Sequence, residues 1–145
     1  MDHSIPLESF LDPCYNVILT RDCNGINCGT MFVRNSTWSF MFVTEVYMHN
    51  GDGIRDGPGD WPVHWGWYPE QAVVWKLSEQ DRIRNKLKIV PQRVFNSYAG
   101  QVCDPGGTYR EGDFMVHFAG PAGKSLFNEF WTKHRGGAAN RSDPG

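Results

Sequence analysis

Short apolar runs rich in β-branched residues recur along this chain, and they constrain its fold more than any other feature. A continuous apolar run of this length, bounded by turn residues, predicts a buried β-strand. The runs are Tyr15–Thr20, Gly29–Arg34, Leu87–Val90 and Phe114–Ala119. Residues 21–27 are rich in Asp, Asn and Gly, so we predict a turn between the first two strands.

The segments between these runs carry apolar residues at helical spacing. Asn35 or Ser36 caps one predicted helix, which ends near His49. A second predicted helix has Pro69 in its first turn, and a third covers Ser125–His134. Alternating strands and helices indicate an α/β fold. Because the strands are few and the loops long, we expect part of a larger sheet.

Length and charge exclude several classes of protein. The 145 residues fit one compact domain over 1–134, and the small, polar residues 135–145 predict a disordered tail. Basic residues are scattered and the net charge is −2, so nucleic acid is not an expected partner. No apolar run approaches the roughly 20 residues of a membrane span. The mixed, acidic start is no signal peptide, so we expect any targeting segment to lie outside this chain.

Cysteine usage leaves the compartment open. Four cysteines are present, and Cys23 and Cys28 are the closest pair in sequence. Without a C-x-x-C motif, a zinc ribbon is not expected. Free buried thiols are the default prediction, whereas a secretory lumen would favour a disulfide.

The segment Gly112–Gly120 combines an apolar strand with His117, and Lys124 follows a loop of small residues. An imidazole at a strand end is a good ligand for a borderline metal ion. A lysine after such a loop is a suitable point charge for a phosphate. The pair therefore suggests one edge of a site for a metal-chelated diphosphate. The alternative is a satisfied core histidine and a solvated lysine.

Four blocks of this sequence, in order, resemble the motifs of glycosyltransferase family 34. The run Arg21–Ser39 is similar to "GLNxGxFxxRNSxWS", and Glu70–Ala72 to "EQxAL". Val90–Tyr98 resembles "VPQRxFNSY", and Gly112–Gly120 resembles "GDFxxHFAG". The family contains galactosyl-, mannosyl- and xylosyltransferases of the GT-A superfamily.

The resemblance implies a fold and an activity. The fold would be the C-terminal, acceptor-side part of a GT-A domain, a mixed and incomplete sheet with flanking helices. The activity would be transfer of a hexose or pentose from a nucleoside diphosphate sugar to a glycan acceptor, with retention of configuration. The resemblance further implies a location on the lumenal side of the Golgi membrane. It also implies association with other glycosyltransferases.

The resemblance also implies site residues. His117 matches a ligand of the family's Mn²⁺ ion, and Lys124, with Gly123, would contact the departing diphosphate. Gln71 matches a polar group near the anomeric centre of the donor sugar, with Glu70 beside it in the substrate site. The alternative is that these residues have no role in a site. Glu70 and Gln71 are then ordinary polar residues at the start of a helix, and Lys124 is a solvent-exposed surface lysine.

Two further groups follow from the same blocks. Asn27 and Asp22 would lie near the donor sugar or the acceptor, although turn chemistry alone also explains them. Asn96, Ser97 and Tyr98 are interpreted as hydrogen-bonded core near the site. Outside the blocks, three tryptophans could bind sugar rings, but anchoring a loop to the core explains them slightly better. They are Trp61, Trp65 and Trp67.

This chain departs from the family pattern in its metal-binding motif. Family members carry an Asp-x-Asp motif upstream of the region matched here, and its carboxylates hold the Mn²⁺ ion with the histidine. Asp2 has no partner two residues away, so we expect a metal only where the Asp-x-Asp half is present. The competing interpretations are a non-catalytic remnant that binds glycan or a partner glycosyltransferase, and a metal hydrolase using His117, Asp113 and Glu70.

Overall fold

A three-stranded mixed sheet forms the centre of the fold. The computed structural model describes residues 4–49, 69–100, 105–120 and 122–138. The strands are β1 (Val17–Asp22), β2 (Gly25–Val33) and β3 (Leu87–Pro91), in the order β2-β1-β3. β1 pairs antiparallel with β2 and parallel with β3. The predicted α/β class with a mixed sheet is confirmed.

The β1–β2 connection is tighter than the sequence predicted. Only Cys23 and Asn24 separate the two strands, and Gly25 supplies the positive φ of 107° that the turn needs. The prediction of a turn over residues 21–27 is therefore wrong at both ends. Asp22 and Asn27 lie in the strands themselves, where their side chains hydrogen-bond to each other and to residues outside the hairpin, so composition typical of a turn extends into the strands.

An irregularity in β2 lies close to the strand end. Leu19 pairs with Met31, whereas the next residue, Thr20, pairs with Asn27. Residues 28–30 thus have no partner on β1, and β2 bulges there. The bulge matters because it carries Gly29 towards the second sheet.

Within the part of the chain that the structure describes, four α-helices flank the strands. They are α1 (Thr37–His49), α2 (Pro69–Ser78), α3 (Asp81–Arg84) and α4 (Gly123–Ala138). Ser36 Oγ accepts a hydrogen bond of 3.2 Å from the backbone N–H of Ser39, so Ser36 is the predicted cap of α1. α4 runs to Ala138 and so includes the first residues assigned to a disordered tail.

A second, two-stranded sheet carries the histidine motif. β4 (Ser97–Tyr98) pairs in parallel with β5 (Val116–His117). The strand predicted over Phe114–Ala119 is therefore only two residues long. Short 3₁₀ turns occur in the described residues at Leu7–Phe10, Gln92–Val94 and Pro105–Gly107.

Two apolar clusters hold these layers together. The larger lies between the three-stranded sheet and helices α1, α2 and α3, and it is formed by Val17, Leu19, Ile26, Phe42, Val73, Val74, Leu77, Ile83 and Leu87. The smaller, on the other face of β1, contains Ile18, Phe95 and Phe114. Phe95 connects it to Phe32 of β2, with ring centroids 4.8 Å apart. The second cluster fixes the β4–β5 sheet against the end of β1.

Some sequence features fall outside the described residues. Trp61, Trp65 and Trp67 are among them, so their two interpretations stay predictions. Among the helices that the structure describes, none has the length and apolar character needed to cross a membrane.

Phe95→Ala should destabilise the fold strongly. Phe95 is 0% exposed, so truncation leaves a cavity between the two sheets and should cost about 3 to 5 kcal/mol of unfolding free energy. The adjacent Val94 is 41% exposed, and Val94→Ala is the matched control, with an expected loss under about 1 kcal/mol. Urea denaturation measures both. Equal losses would show that the second cluster does not support the fold.

Candidate functional site

A group of buried polar side chains lies where β1 and β2 meet β4. We call it the polar cluster; its members are Thr20, Asp22, Asn27, Asn96 and Tyr98. All five side chains are buried, although their polar atoms strongly favour contact with water. Their burial is tolerated because they hydrogen-bond to one another.

The side-chain amide of Asn27 is the centre of this cluster. Its Nδ2 donates to Asp22 Oδ2 at 3.0 Å and to the Tyr98 hydroxyl at 2.8 Å. Its Oδ1 accepts from the backbone N–H of Gly29 at 2.9 Å and from Asn96 Nδ2 at 3.0 Å. Both donors and both acceptor positions of the amide are thus used within the protein.

Asp22 and Asn96 extend the cluster to either side. Asp22 Oδ2 also accepts a short hydrogen bond from the Tyr98 hydroxyl, and Oδ1 accepts from the Asn24 N–H at 2.7 Å. Asn96 Nδ2 donates to Thr20 Oγ1 at 3.0 Å. These bonds join residues separated by up to 76 positions in sequence, so the cluster is a tertiary feature.

His117 lies next to the polar cluster. Its ring stacks on the Tyr98 ring, with centroids 5.5 Å apart and an interplanar angle of 28°. Burial lowers the pKa of His117, although the Asp22 carboxylate opposes this shift. The imidazole is therefore neutral at pH 7, the form that can bind a metal ion. Its Nδ1 is buried with no hydrogen-bond partner in the described part of the chain.

Gln71 lies on the other side of the bulge in β2. It is buried in the first turn of α2, and its Oε1 accepts from the Cys28 N–H at 3.0 Å. Glu70, the preceding residue, is exposed. Burial raises the pKa of the Cys28 thiol to about 12, with a smaller contribution from the charge of Glu70. Cys28 is therefore an unreactive thiol.

The cysteines follow the default prediction only in part. Cys28 and Cys14 are free, although Cys14 is exposed. Cys23 takes part in a disulfide bond, which overturns the expectation of a free thiol there. The sequence offered no pattern that distinguished Cys23 from the others.

Lys124 and Gly123 lie at the start of α4. Lys124 is exposed, and Gly123 is buried with its N–H donating to the Gly120 carbonyl at 3.0 Å. A Cβ at Gly123 would lie 2.4 Å from the Phe118 carbonyl oxygen, so only glycine fits there. The close approach packs the start of α4 against the segment that follows β5, the strand that carries His117.

Asp113 has a structural partner that accounts for it. Its carboxylate pairs with Arg93 at 2.8 Å and accepts from the Ser97 hydroxyl at 2.9 Å and the Arg110 N–H at 2.9 Å. Burial alone would raise the pKa of Asp113, but these hydrogen bonds outweigh it and the pKa is lowered. Asp113 thus braces the segment before β5.

Metal-ligating side chains are sparse in the described residues. No group of three or more His, Cys, Asp or Glu side chains able to hold a metal ion occurs there. The hydrolase interpretation, which needs His117, Asp113 and Glu70 as such a group, is therefore wrong. A neutral imidazole such as that of His117 can serve as one metal ligand, whereas the Asp22 carboxylate is already hydrogen-bonded within the polar cluster.

Comparison with known proteins agrees with this arrangement. The family model for the galactosyl transferase GMA12/MNN10 family matches residues 13–125, which include both strands of the hairpin, the polar cluster and His117. The chain belongs to this glycosyltransferase family. The resemblance deduced from the four sequence blocks is thereby confirmed. No solved structure matches the chain significantly.

Individual relatives agree with the family assignment. A protein of Schizosaccharomyces pombe named an uncharacterized alpha-1,2-galactosyltransferase is 31% identical, over 81% of this chain and 34% of that protein. The Saccharomyces cerevisiae protein named probable alpha-1,6-mannosyltransferase MNN10 is 23% identical, over 71% of this chain and 26% of that protein. This family member thus spans about a third or less of the length of these relatives.

The structure gathers only some of the predicted site residues. Asp22, Asn27 and His117 lie together, and Gln71 contacts the backbone beside them. Glu70, Gly123 and Lys124 lie at the starts of α2 and α4. Their roles remain predictions. Sequence reasoning missed Thr20, since a threonine in a strand carries no distinctive signal. It also assigned no role to Gly29, although Gly29 occupies the second fixed glycine of the first family block.

Asp113→Asn should reduce stability in a pH-dependent manner. The lowered pKa means that the carboxylate stabilises the fold fully above its ordinary value of 3.8 and loses this contribution as pH falls through the lower folded value. The variant should lose about 1 to 3 kcal/mol at pH 7 and approach the wild type near pH 2. Urea denaturation at both pH values measures this.

The matched control is Asp81→Asn. Asp81 pairs with Arg84 at the surface, where its side chain is 78% exposed, so the expected loss is under about 0.5 kcal/mol. If the two substitutions lower the unfolding free energy equally at pH 7, the hydrogen bonds of Asp113 do not stabilise the segment before β5.

Proposed function

We propose that this chain is the acceptor-side, C-terminal part of a GT-A glycosyltransferase domain. In this proposal it contributes to the transfer of a hexose or pentose from a nucleoside diphosphate sugar to a glycan acceptor, with retention of configuration. The observation that carries the proposal is the position of His117 beside the buried polar cluster, within the segment that matches the family. The printed names of the relatives, which are galactosyl- and mannosyltransferases, support the reaction class.

His117 is the proposed ligand from this chain for a Mn²⁺ ion. Its neutral ring suits that role, and the carboxylate ligands would come from an Asp-x-Asp motif outside the described residues. When bound, the ion would neutralise charge on the diphosphate of the donor. Lys124, exposed at the start of α4, would add a positive charge for the departing diphosphate. Gly123 and Glu70 would line the same substrate site.

The proposed role of Gln71 is to bind the donor sugar through its amide nitrogen. Oε1 is already hydrogen-bonded to the Cys28 N–H, so Nε2 is the atom left to donate to a sugar hydroxyl. Asp22 and Asn27 use their polar atoms within the cluster. We therefore propose that these two residues act on the substrate through the shape of the site.

The disulfide at Cys23 supports a location in the secretory pathway. Disulfides persist in oxidising compartments and are rare in the cytosol. We propose the lumenal side of the Golgi membrane, where a glycan acceptor would be available. Association with other glycosyltransferases is proposed as well, and it rests on the resemblance alone.

His117→Ala should abolish most of the transferase activity. The assay uses enzyme that includes the Asp-x-Asp motif, and it measures nucleoside diphosphate release and sugar transfer with Mn²⁺, a panel of nucleoside diphosphate hexoses and pentoses, and a glycan acceptor. Loss of a ligand should lower kcat/KM by about 100-fold. The matched control is His134→Ala, an exposed histidine on α4, with an expected change of about twofold or less.

Two results would contradict the proposal. One is equal activity in His117→Ala and the wild type, which would remove His117 from the reaction. The other is a folded protein that includes the Asp-x-Asp motif and still releases no nucleoside diphosphate from any donor with the metal present. Glycan binding without turnover would then favour the non-catalytic remnant.

A further inference from the structure

The ring of His117 is oriented by packing. Its Nδ1 is buried, and no hydrogen bond from the described residues reaches it. One face of the ring is covered by Tyr98. The Cε1–Nε2 edge points at Gly29, because a Cβ built on Gly29 would lie 2.4 Å from Cε1 and 2.9 Å from Nε2. Both distances are shorter than protein atoms tolerate without a shift.

Backbone conformation does not explain why residue 29 is glycine. The glycines with positive φ in the described residues are Gly25, Gly112 and Gly120. Gly29 is not one of them, so a larger residue could adopt its backbone angles. The requirement at this position is therefore space, and His117 occupies that space.

The backbone at Gly29 is also restrained. Its N–H donates to Asn27 Oδ1, and the same Asn27 amide donates to the Tyr98 hydroxyl. A Cβ on Gly29 would lie 3.0 Å from that Oδ1. The backbone at residue 29 therefore cannot shift away from the histidine without disturbing the polar cluster. If residue 29 had a side chain, His117 would have to move instead.

We propose that Gly29 is a positioning residue for His117. Gly29, Asn27 and Tyr98 form what we call the histidine seat, in which Tyr98 supports the face of the ring and Gly29 accommodates its edge. The importance of the seat for catalysis rests on the proposed function, in which His117 binds the metal. The geometry of the seat stands independently of that function.

Gly29→Ala tests the seat through the environment of His117. In protein labelled with ¹³Cε1-histidine, His117→Ala identifies the His117 signal by its loss. Gly29→Ala should shift that signal, because Cε1 is the atom nearest to the added methyl group. The matched control is Gly100→Ala, where the new Cβ would meet only the flexible end of Leu126 at 3.3 Å. The control should leave the His117 signal unchanged.

Thermal unfolding provides a second readout that needs no assignment. Gly29→Ala should lower Tm by roughly 5 °C through overpacking against the ring. In the His117→Ala background the same substitution should lower Tm by less than half as much, because the two closest atoms are gone and only the 3.0 Å approach to Asn27 Oδ1 remains.

Either of two results would overturn the proposal. The first is an unchanged His117 signal in folded Gly29→Ala. The second is an equal fall in Tm in the two backgrounds, which would place the strain elsewhere. Neither readout uses sugar transfer, so a failure here leaves the proposed function untouched, and an inactive enzyme leaves the histidine seat untouched.

Discussion

The buried amide of Asn27 is the interaction on which the site depends. It forms hydrogen bonds with Asp22, Tyr98, Gly29 and Asn96 at the same time, and so connects the β1–β2 hairpin to β4. Low local polarity penalises an unpaired group in a buried network, and the Asn27 amide leaves none of its own polar atoms unpaired. Because Tyr98 supports the His117 ring, the orientation of the candidate ligand follows from the same amide.

Local patterns predicted the elements well. The apolar runs mark β1, β2 and β3, and Ser36 caps α1 because its side chain can satisfy a helical N–H. The errors fall where tertiary contacts override composition. Asp22 and Asn27 have turn propensity, yet both lie in strands because the polar cluster uses their side chains. The histidine strand is only two residues long, since it pairs solely with the equally short β4.

The residues of the candidate site could be named from the sequence, but the way they are brought together could not. Sequence blocks identified His117, Asn27 and Asp22, and the family match confirms the class of protein. Their proximity depends on bonds across 76 positions, such as that from Asn96 to Thr20, which no local pattern encodes. The reason why residue 29 must be glycine is likewise apparent only in the structure, where the ring of His117 lies beside it.

The most direct measurement is the unfolding free energy of Asn27→Asp. This substitution keeps the shape of the side chain but replaces two donors with a carboxylate facing Asp22 Oδ2 at 3.0 Å. We expect Asn27→Asp to lose about 3 kcal/mol or more of unfolding free energy at pH 7, because a second buried charge has no partner there. Asn128→Asp, at an exposed position on α4, should cost under about 0.5 kcal/mol. An Asn27→Asp protein as stable as the wild type would contradict the central role of this amide.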